Sequence, residues 1–183
     1  MKHHDILIVG SGVIGTTLAN SLKSDDLSIG IIDSVASPKF SKRHLSINSN
    51  SLNFLKKLDL WHLIKPNAFP YETIKVWDQE GSGFIEFNSE DTERENLGHI
   101  VCEGDIQKFA LNALDEKQIS FYWENNLEEV KEESSEIVCR TSRDIFSCSI
   151  LIGCDGISSS VRSLCLLYTS DAADEGLGVD LGG

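Results

Sequence analysis

A glycine-rich turn near the N-terminus constrains the fold of this 183-residue chain more than any other feature. The turn reads Gly10-Ser11-Gly12-Val13-Ile14-Gly15, a GxGxxG pattern. The apolar run at 6–9 before it is typical of a buried parallel strand, and residues 13–23 after it carry apolar side chains at helical spacing. A second apolar run at 27–32 ends at Asp33. This order predicts a βαβ unit that binds a dinucleotide.

Each glycine of the turn has an expected role. Gly10 permits a tight turn, Gly12 lets the backbone approach a pyrophosphate, and Gly15 lets the helix pack close to the strand. The phosphates are then expected on the free N–H groups of this loop and of the helix N-terminus, so Ser11, Val13 and Ile14 are also candidate contacts. The alternative is a glycine-rich turn without a ligand.

Asp33 follows the second strand at the position where a dinucleotide-binding unit carries an acid. A carboxylate there accepts hydrogen bonds from the hydroxyls of an adenosine ribose and disfavours a 2′-phosphate, so we do not expect NADP in this turn. The turn and the acid together do not distinguish NAD from FAD.

The remaining apolar patterns predict an α/β domain. They indicate helices at 46–57 and 104–116, strands at 119–123 and 149–153 (the latter buried), and a small antiparallel meander at 127–130, 136–141 and 144–148. Residues 72–77 and 84–87 alternate like a half-buried antiparallel pair, and Pro66 and Pro70 indicate a loop. The expected fold class is α/β, a Rossmann-like domain with a parallel sheet, helices and this meander.

Composition excludes several classes of function. No run approaches the ~20 apolar residues of a membrane span, and the N-terminus lacks the features of a signal peptide, so we expect a cytoplasmic protein. The net charge of −13 argues against a nucleic-acid partner. Five cysteines without CxxC spacing and scattered histidines predict reduced thiols and no metal site.

Residues 165–183 differ from the rest of the chain, with four glycines and no lysine or arginine. Back-translation of 165–174 resembles the transposon-end adapter of DNA sequencing libraries, and that of 179–183 resembles the flow-cell primer that follows it. We therefore predict a translated adapter at 165–183 and a native, incomplete domain at 1–164, with the natural protein continuing beyond Leu164. The alternative is a flexible acidic tail.

A second motif follows the strand at 149–153. It reads Gly153-Cys154-Asp155-Gly156-Ile157-Ser158-Ser159-Ser160-Val161-Arg162. An Asp-Gly pair alone indicates only a turn. The full string resembles the GxDGxxSxVR motif of the aromatic-ring flavoprotein hydroxylases of the para-hydroxybenzoate hydroxylase type.

Two further segments resemble the ubiquinone-biosynthesis branch of that family. The first runs from Arg43 through the helix that ends in Asp59-Leu60-Trp61, where the family has Leu-Gly-Trp. The second is Leu97-Gly98-His99-Ile100-Val101, followed by Gln107 on the next helix. The family's glutamate after the valine is displaced, with Cys102 in its place and Glu103 one position later. The resemblance extends over residues 5–164.

The resemblance implies that FAD is the cofactor. It implies that Asp155 and Gly156 lie near the FAD pyrophosphate, that Arg43 and Gln107 contact FAD, and that Leu127 contacts the adenine through its backbone. The alternatives are a solvated surface cation, a polar group on a helix face and a core leucine, respectively. No catalytic residue and no metal ligand is expected in the chain.

The resemblance also implies an activity for the parent protein. In the family, NAD(P)H reduces FAD, and O₂ then serves to hydroxylate a phenol, which carries a polyprenyl tail in the ubiquinone branch. Contact with the periphery of the inner membrane or with a ubiquinone-biosynthesis complex would follow from that tail. Strands of an antiparallel substrate sheet are expected around 70–100, and the chain by itself is expected to be inactive.

Three other classes remain as alternatives. An NAD dehydrogenase shares the βαβ unit but has no reason to carry the second motif. A geranylgeranyl-reductase-like or halogenase-like flavoprotein shares more, although a halogenase's WxWxIP segment is absent from the sequence. The last alternative is a non-catalytic dinucleotide-binding fragment.

Overall fold

A computed structural model describes residues 1–24, 26–78, 81–114 and 119–165. The strands are β1 (Lys2–Val9), β2 (Ile29–Ile32), β3 (His44–Asn48), β4 (Phe69–Tyr71), β5 (Thr73–Trp77), β6 (Phe84–Asn88), β7 (Gly98–Cys102), β8 (Ile119–Tyr122), β9 (Leu127–Glu132), β10 (Ile137–Thr141) and β11 (Ile145–Gly153). The α-helices are α1 (Val13–Leu22), α2 (Ser49–Lys57), α3 (Trp61–Ile64), α4 (Glu103–Asn112) and α5 (Ser160–Leu164). Short 3₁₀ helices lie at Lys65–Asn67 and Glu90–Thr92.

The main sheet has six strands in the order β8-β2-β1-β11-β10-β9. The strands β8, β2, β1 and β11 are parallel, and β10 and β9 continue the sheet antiparallel. The predicted βαβ unit, parallel sheet and meander are therefore confirmed. The segments that follow β1, β2, β8 and β11 therefore all lie at the carboxyl ends of the parallel strands. This is the side of the sheet where α/β proteins bind ligands.

Alternate residues of β1 pack on opposite faces of this sheet. Ile6 and Ile8 lie on the face covered by α1, with Ala19 and Leu114. Leu7 and Val9 lie on the other face, in a cluster with the fully buried Phe146. Each large side chain buried in this way stabilises the fold by roughly 1.5–3 kcal/mol, so both faces anchor the strand that carries the glycine turn.

The C-terminal part of the sheet corrects two predictions. The expected strands at 144–148 and 149–153 form one continuous strand, β11, which pairs with β1 from Phe146 to Gly153. The expected burial of 149–153 was wrong, since Ser149 is exposed and Ile150 is 52% exposed. Only Leu151 and Ile152 of this run are half-buried, and they pack against the clusters on the two faces of the sheet.

A second layer contains the sheet β3-β7-β4 with α2, α3 and α4 around a separate apolar cluster. The predicted helix at 46–57 begins only at Ser49, because residues 44–48 pair with β7. The side chain of Asn48 accepts a hydrogen bond from Ser51 N at 3.0 Å and caps α2. Pro70 lies in the edge strand β4, not in the predicted loop, and an edge position tolerates a missing N–H.

The predicted antiparallel pair at 72–77 and 84–87 is confirmed as β5 and β6. It was expected to be half-buried, but both strands are exposed nearly throughout. One face of this hairpin is apolar, and its four residues are Ile74, Val76, Ile85 and Phe87. Its assignment to a substrate sheet stays a prediction.

No helix among the described residues is both long and apolar enough to cross a membrane. The predicted adapter-derived segment lies outside the described residues except for Cys165.

We predict that His4 makes the stability of the fold depend on pH. His4 is 6% exposed in β1, and its Nε2 lies 2.9 Å from Tyr122 Oη. Burial lowers the pKa of His4, and neighbouring His3 and Lys2 lower it further against the opposing charge of Asp5. Because the pKa is lower in the folded protein, the unfolded chain binds the proton more readily below its pKa of about 6.5. The free energy of unfolding therefore decreases as the pH is lowered.

Urea unfolding at pH 7.5 and at pH 5.5 measures this effect. His4→Gln should reduce the loss of stability between the two pH values, whereas His44→Gln, at an exposed position in β3, should leave it unchanged. An equal loss in the wild type and in His4→Gln would contradict the prediction.

Candidate cofactor-binding site

The two motifs predicted from the sequence meet at one cavity of about 510 Å³. They meet because β1 and β11 are neighbouring parallel strands, with Val9 opposite Gly153. Residues after β2 and β8 complete the cavity. The lining residues are Val9, Gly10, Gly12, Asp33, Ser34, Asn125, Asn126, Leu127, Cys154, Asp155, Gly156, Ser158 and Ser160.

Gly10 is where the two loops touch. Its φ is +104°, and a Cβ there would lie 2.4 Å from the carbonyl oxygen of Cys154. The amide of Cys154 donates to the carbonyl of Val9 at 2.7 Å, and that of Gly10 donates to Ile32 O at 2.8 Å. A side chain at Gly10 would therefore strain the backbone and separate the loops.

Gly12 and Gly15 differ sharply in their surroundings. A Cβ on Gly15 would lie 2.0 Å from the carbonyl oxygen of Gly10, so this glycine allows α1 to pack against the turn. A Cβ on Gly12 would meet no atom of the described residues within 4 Å. Gly12 is the N-cap of α1, and no side chain caps the helix there. The open side of Gly12 and the uncapped first turn of α1 fit a pyrophosphate.

Asp33 lies at the cavity and also holds the glycine turn. Its Oδ2 accepts hydrogen bonds from Ser11 N at 2.7 Å and from Ser11 Oγ at 2.6 Å. Its Oδ1 accepts from Val35 N at 3.2 Å. The carboxylate therefore orders the glycine turn through contacts within the protein.

Asp155 orders the second loop in a similar way. Its Oδ2 accepts from Ser160 N at 2.6 Å and from Val161 N at 3.2 Å, while Gly156 turns the chain with a φ of +79°. Asp155 Oδ1 is buried and has no hydrogen-bond partner among the described residues. A buried, unsatisfied carboxylate oxygen is costly, so it indicates a donor that the described residues do not supply.

Gln107 contacts the glycine turn from outside the cavity. It is 7% exposed on α4, and its Nε2 donates to Ser11 O at 2.9 Å. It does not line the cavity.

Leu127 does line the cavity and is 5% exposed, so it is also a core residue. Of the two other predicted contacts in the glycine motif, Val13 packs against the cluster around α2 to α4, and Ile14 is 66% exposed.

Arg43 lies apart from the cavity lining. Its Nε and Nη2 donate to the two carboxylate oxygens of Glu103 at 3.0 and 2.9 Å, and its side chain is 68% exposed. These hydrogen bonds hold the pKa of Glu103 below its usual range. Arg43 is thus a paired surface cation here, and its contact with FAD stays a prediction.

Asn125 and Asn126 were missed from the sequence. They line the cavity after β8, and Asn125 is fixed by accepting from Thr141 Oγ1 at 2.6 Å and donating to Trp123 O at 3.0 Å. None of the described residues that line the cavity is a lysine or an arginine, so phosphates bound there would depend on backbone N–H groups and the dipole of α1.

We predict that alanine affects the free energy of unfolding differently at Gly12 and at Gly15. Gly15→Ala should lower the free energy of unfolding by about 1–3 kcal/mol, because its Cβ has no room beside Gly10 O. Gly12→Ala should lower the free energy of unfolding much less than Gly15→Ala, because its Cβ enters open space. Chemical denaturation of both variants measures the difference. Equal stability of Gly15→Ala and the wild type would contradict the packing described above.

The chain is similar to ubiquinone hydroxylases. It is 28% identical to the ubiquinone biosynthesis monooxygenase COQ6, mitochondrial, of Drosophila melanogaster, covering 88% of this chain and 37% of the relative. It is 23% identical to the 3-demethoxyubiquinol 3-hydroxylase of Escherichia coli K12, covering 87% of this chain and 43% of the relative. The chain therefore spans less than half the length of these relatives.

A solved structure shares the fold. The flavin-dependent monooxygenase PieE, determined in complex with FAD and substrate, superposes with a TM-score of 0.74 at 14% identity, covering 89% of this chain and 32% of that chain. Residues 3–171 match the family described as an FAD binding domain. That match covers most of the sequence, so the chain belongs to the FAD binding domain family.

Proposed function

We propose that this chain is the FAD-binding part of a monooxygenase that hydroxylates a polyprenylated phenol in ubiquinone biosynthesis. The observation that carries the proposal is the single cavity formed by the loops after β1 and β11 in a member of the FAD binding domain family. The similarity to ubiquinone hydroxylases supports the substrate class.

In this proposal the chain binds the adenosine diphosphate portion of FAD. The pyrophosphate lies over Gly12 and accepts hydrogen bonds from the first turn of α1. Asp33 accepts from the adenosine ribose, and Leu127 lies beside the adenine. Asp155 and Gly156 approach the pyrophosphate from the opposite loop, as their place in the cavity lining allows.

The flavin supplies the redox chemistry, taking electrons from NAD(P)H and using O₂ as the source of the inserted oxygen. The chain's own residues bind and orient the cofactor. We propose no side chain of this chain as a catalytic acid or base. The polyprenyl tail of the substrate leads us to propose peripheral contact of the whole protein with the membrane or with a ubiquinone-biosynthesis complex.

FAD affinity tests the binding role directly. Titration of the purified chain with FAD, followed by flavin fluorescence, should give saturable binding, while NAD⁺ should not compete. Gly12→Ala should weaken FAD binding at least about 10-fold, or ~1.4 kcal/mol, because its Cβ occupies the space of the pyrophosphate.

Gly83→Ala is the matched control, since a Cβ at this hairpin glycine also meets no described atom within 4 Å and the residue does not line the cavity. It should bind FAD like the wild type. Equal affinity of the Gly12 and Gly83 variants, or an absence of FAD binding by the wild-type chain, would sink the proposal.

We further predict that the 183-residue chain alone does not hydroxylate phenols, since it spans 37% and 43% of two hydroxylases to which it is similar. Phenol hydroxylation in the presence of FAD, NADH and O₂ is the measurement, with a full-length ubiquinone hydroxylase as the positive control. Product formed by the chain at the rate of the control would refute this prediction.

A further inference from the structure

A second cavity, of about 370 Å³, lies on the layer formed by α2, α3, β4 and β7. It shares no lining residue with the cofactor cavity. We call it the lysine cavity, and its lining residues are Ser49, Leu52, Lys56, Trp61, Lys65, Ala68, Pro70, Glu95, Asn96, Gly98 and His99.

The lysine cavity carries uncompensated positive charge. Lys56 and Lys65 line it, and neither forms an ion pair within the described part of the chain. Among the described residues that line the cavity, Glu95 is the single carboxylate. Two lysines that line the same cavity in a chain of net charge −13 are an exception to its general acidity, which suggests an anionic ligand.

His99 adds a polar atom without a partner. Its ring lies edge-on to Trp61 at a centroid distance of 5.0 Å, and its Nδ1 is buried with no hydrogen-bond partner among the described residues. Burial lowers the pKa of His99, and the charges of Lys65 and Lys56 lower it further against the opposing charge of Glu95. The positive potential of both lysines therefore reaches the imidazole.

The donor set favours a phosphate over a carboxylate. Arginine is the side chain suited to planar, bidentate recognition of a carboxylate, and no arginine lines this cavity. Lysine binds phosphate as a point charge, and Ser49 and Asn96 add neutral donors. Leu52, Trp61 and Pro70 provide an apolar wall for the remainder of a ligand.

We propose that the lysine cavity binds a phosphate monoester with an apolar body. The phosphate lies between Lys56 and Lys65, and the body packs against Trp61 and Leu52. A cavity of about 370 Å³ is large enough for a ligand of one ring or a short chain. This inference does not depend on the proposed monooxygenase function.

Phenyl phosphate is the probe, titrated calorimetrically into the purified chain. Lys56→Gln and Lys65→Gln should each weaken binding at least about 5-fold, as expected for loss of about 1 kcal/mol from a charge-assisted contact. Lys57→Gln is the matched control, because it removes the same charge from the neighbouring position of α2 and does not line the cavity. All three lysines are exposed, so the fold should be unaffected.

A further readout separates binding in this cavity from a diffuse charge effect. Bound phosphate should raise the pKa of His99 in an NMR titration and leave that of the exposed His44 unchanged. Gly12→Ala should bind phenyl phosphate like the wild type, so failure of FAD binding and failure of this proposal are distinguishable.

Equal weakening by Lys57→Gln and the two cavity variants would overturn the proposal. So would inorganic phosphate binding as tightly as phenyl phosphate, since the apolar wall would then have no role. An absence of phenyl phosphate binding by the wild-type chain would also overturn it.

Discussion

The parallel pairing of β1 with β11 is the constraint on which the candidate site depends. These strands are far apart in the chain, yet their register places Val9 opposite Gly153, so the loops that follow them begin side by side. The contact is so close that only a glycine fits at position 10, where a Cβ would lie 2.4 Å from Cys154 O. Because side chains alternate along a strand, a slip of one residue would expose the core residues Leu7 and Phe146. Burial of the core and placement of the loops are therefore fixed by the same register.

The glycine turn is ordered by contacts from two other elements. Asp33, after β2, accepts from the backbone and the hydroxyl of Ser11, and Gln107, on α4, donates to the carbonyl of Ser11. Asn20 joins α1 to α4 by donating to Ala110 O at 2.8 Å. The N–H groups at the start of α1 are thus directed by residues of the protein before a ligand binds. Preorganisation of this kind lowers the entropic cost of binding.

Local sequence patterns were enough to predict the two loops of the site that directly follow a strand. The GxGxxG turn and the Asp-Gly loop were recognised because a positive φ or a close backbone contact requires glycine, so these positions are visible in the sequence. Asn125 and Asn126 were missed because their place at the cavity depends on the parallel pairing of β8 with β2, which no local pattern encodes. The start of α2 was misplaced for a related reason, since pairing with β7 overrides the helical spacing of residues 46–48. The ion pair of Arg43 with Glu103 depends on the packing of α4 against the segment before β3, which the sequence alone did not reveal.

We propose that the two loops bind one pyrophosphate together. Backbone amide NMR of the chain during titration with ADP tests it most directly, because ADP carries the pyrophosphate and adenosine without the flavin. If they do, the amides of residues 12–15 and of 155–160 should shift together and give a single dissociation constant. Shifts confined to one of the two loops, or two different dissociation constants, would contradict it.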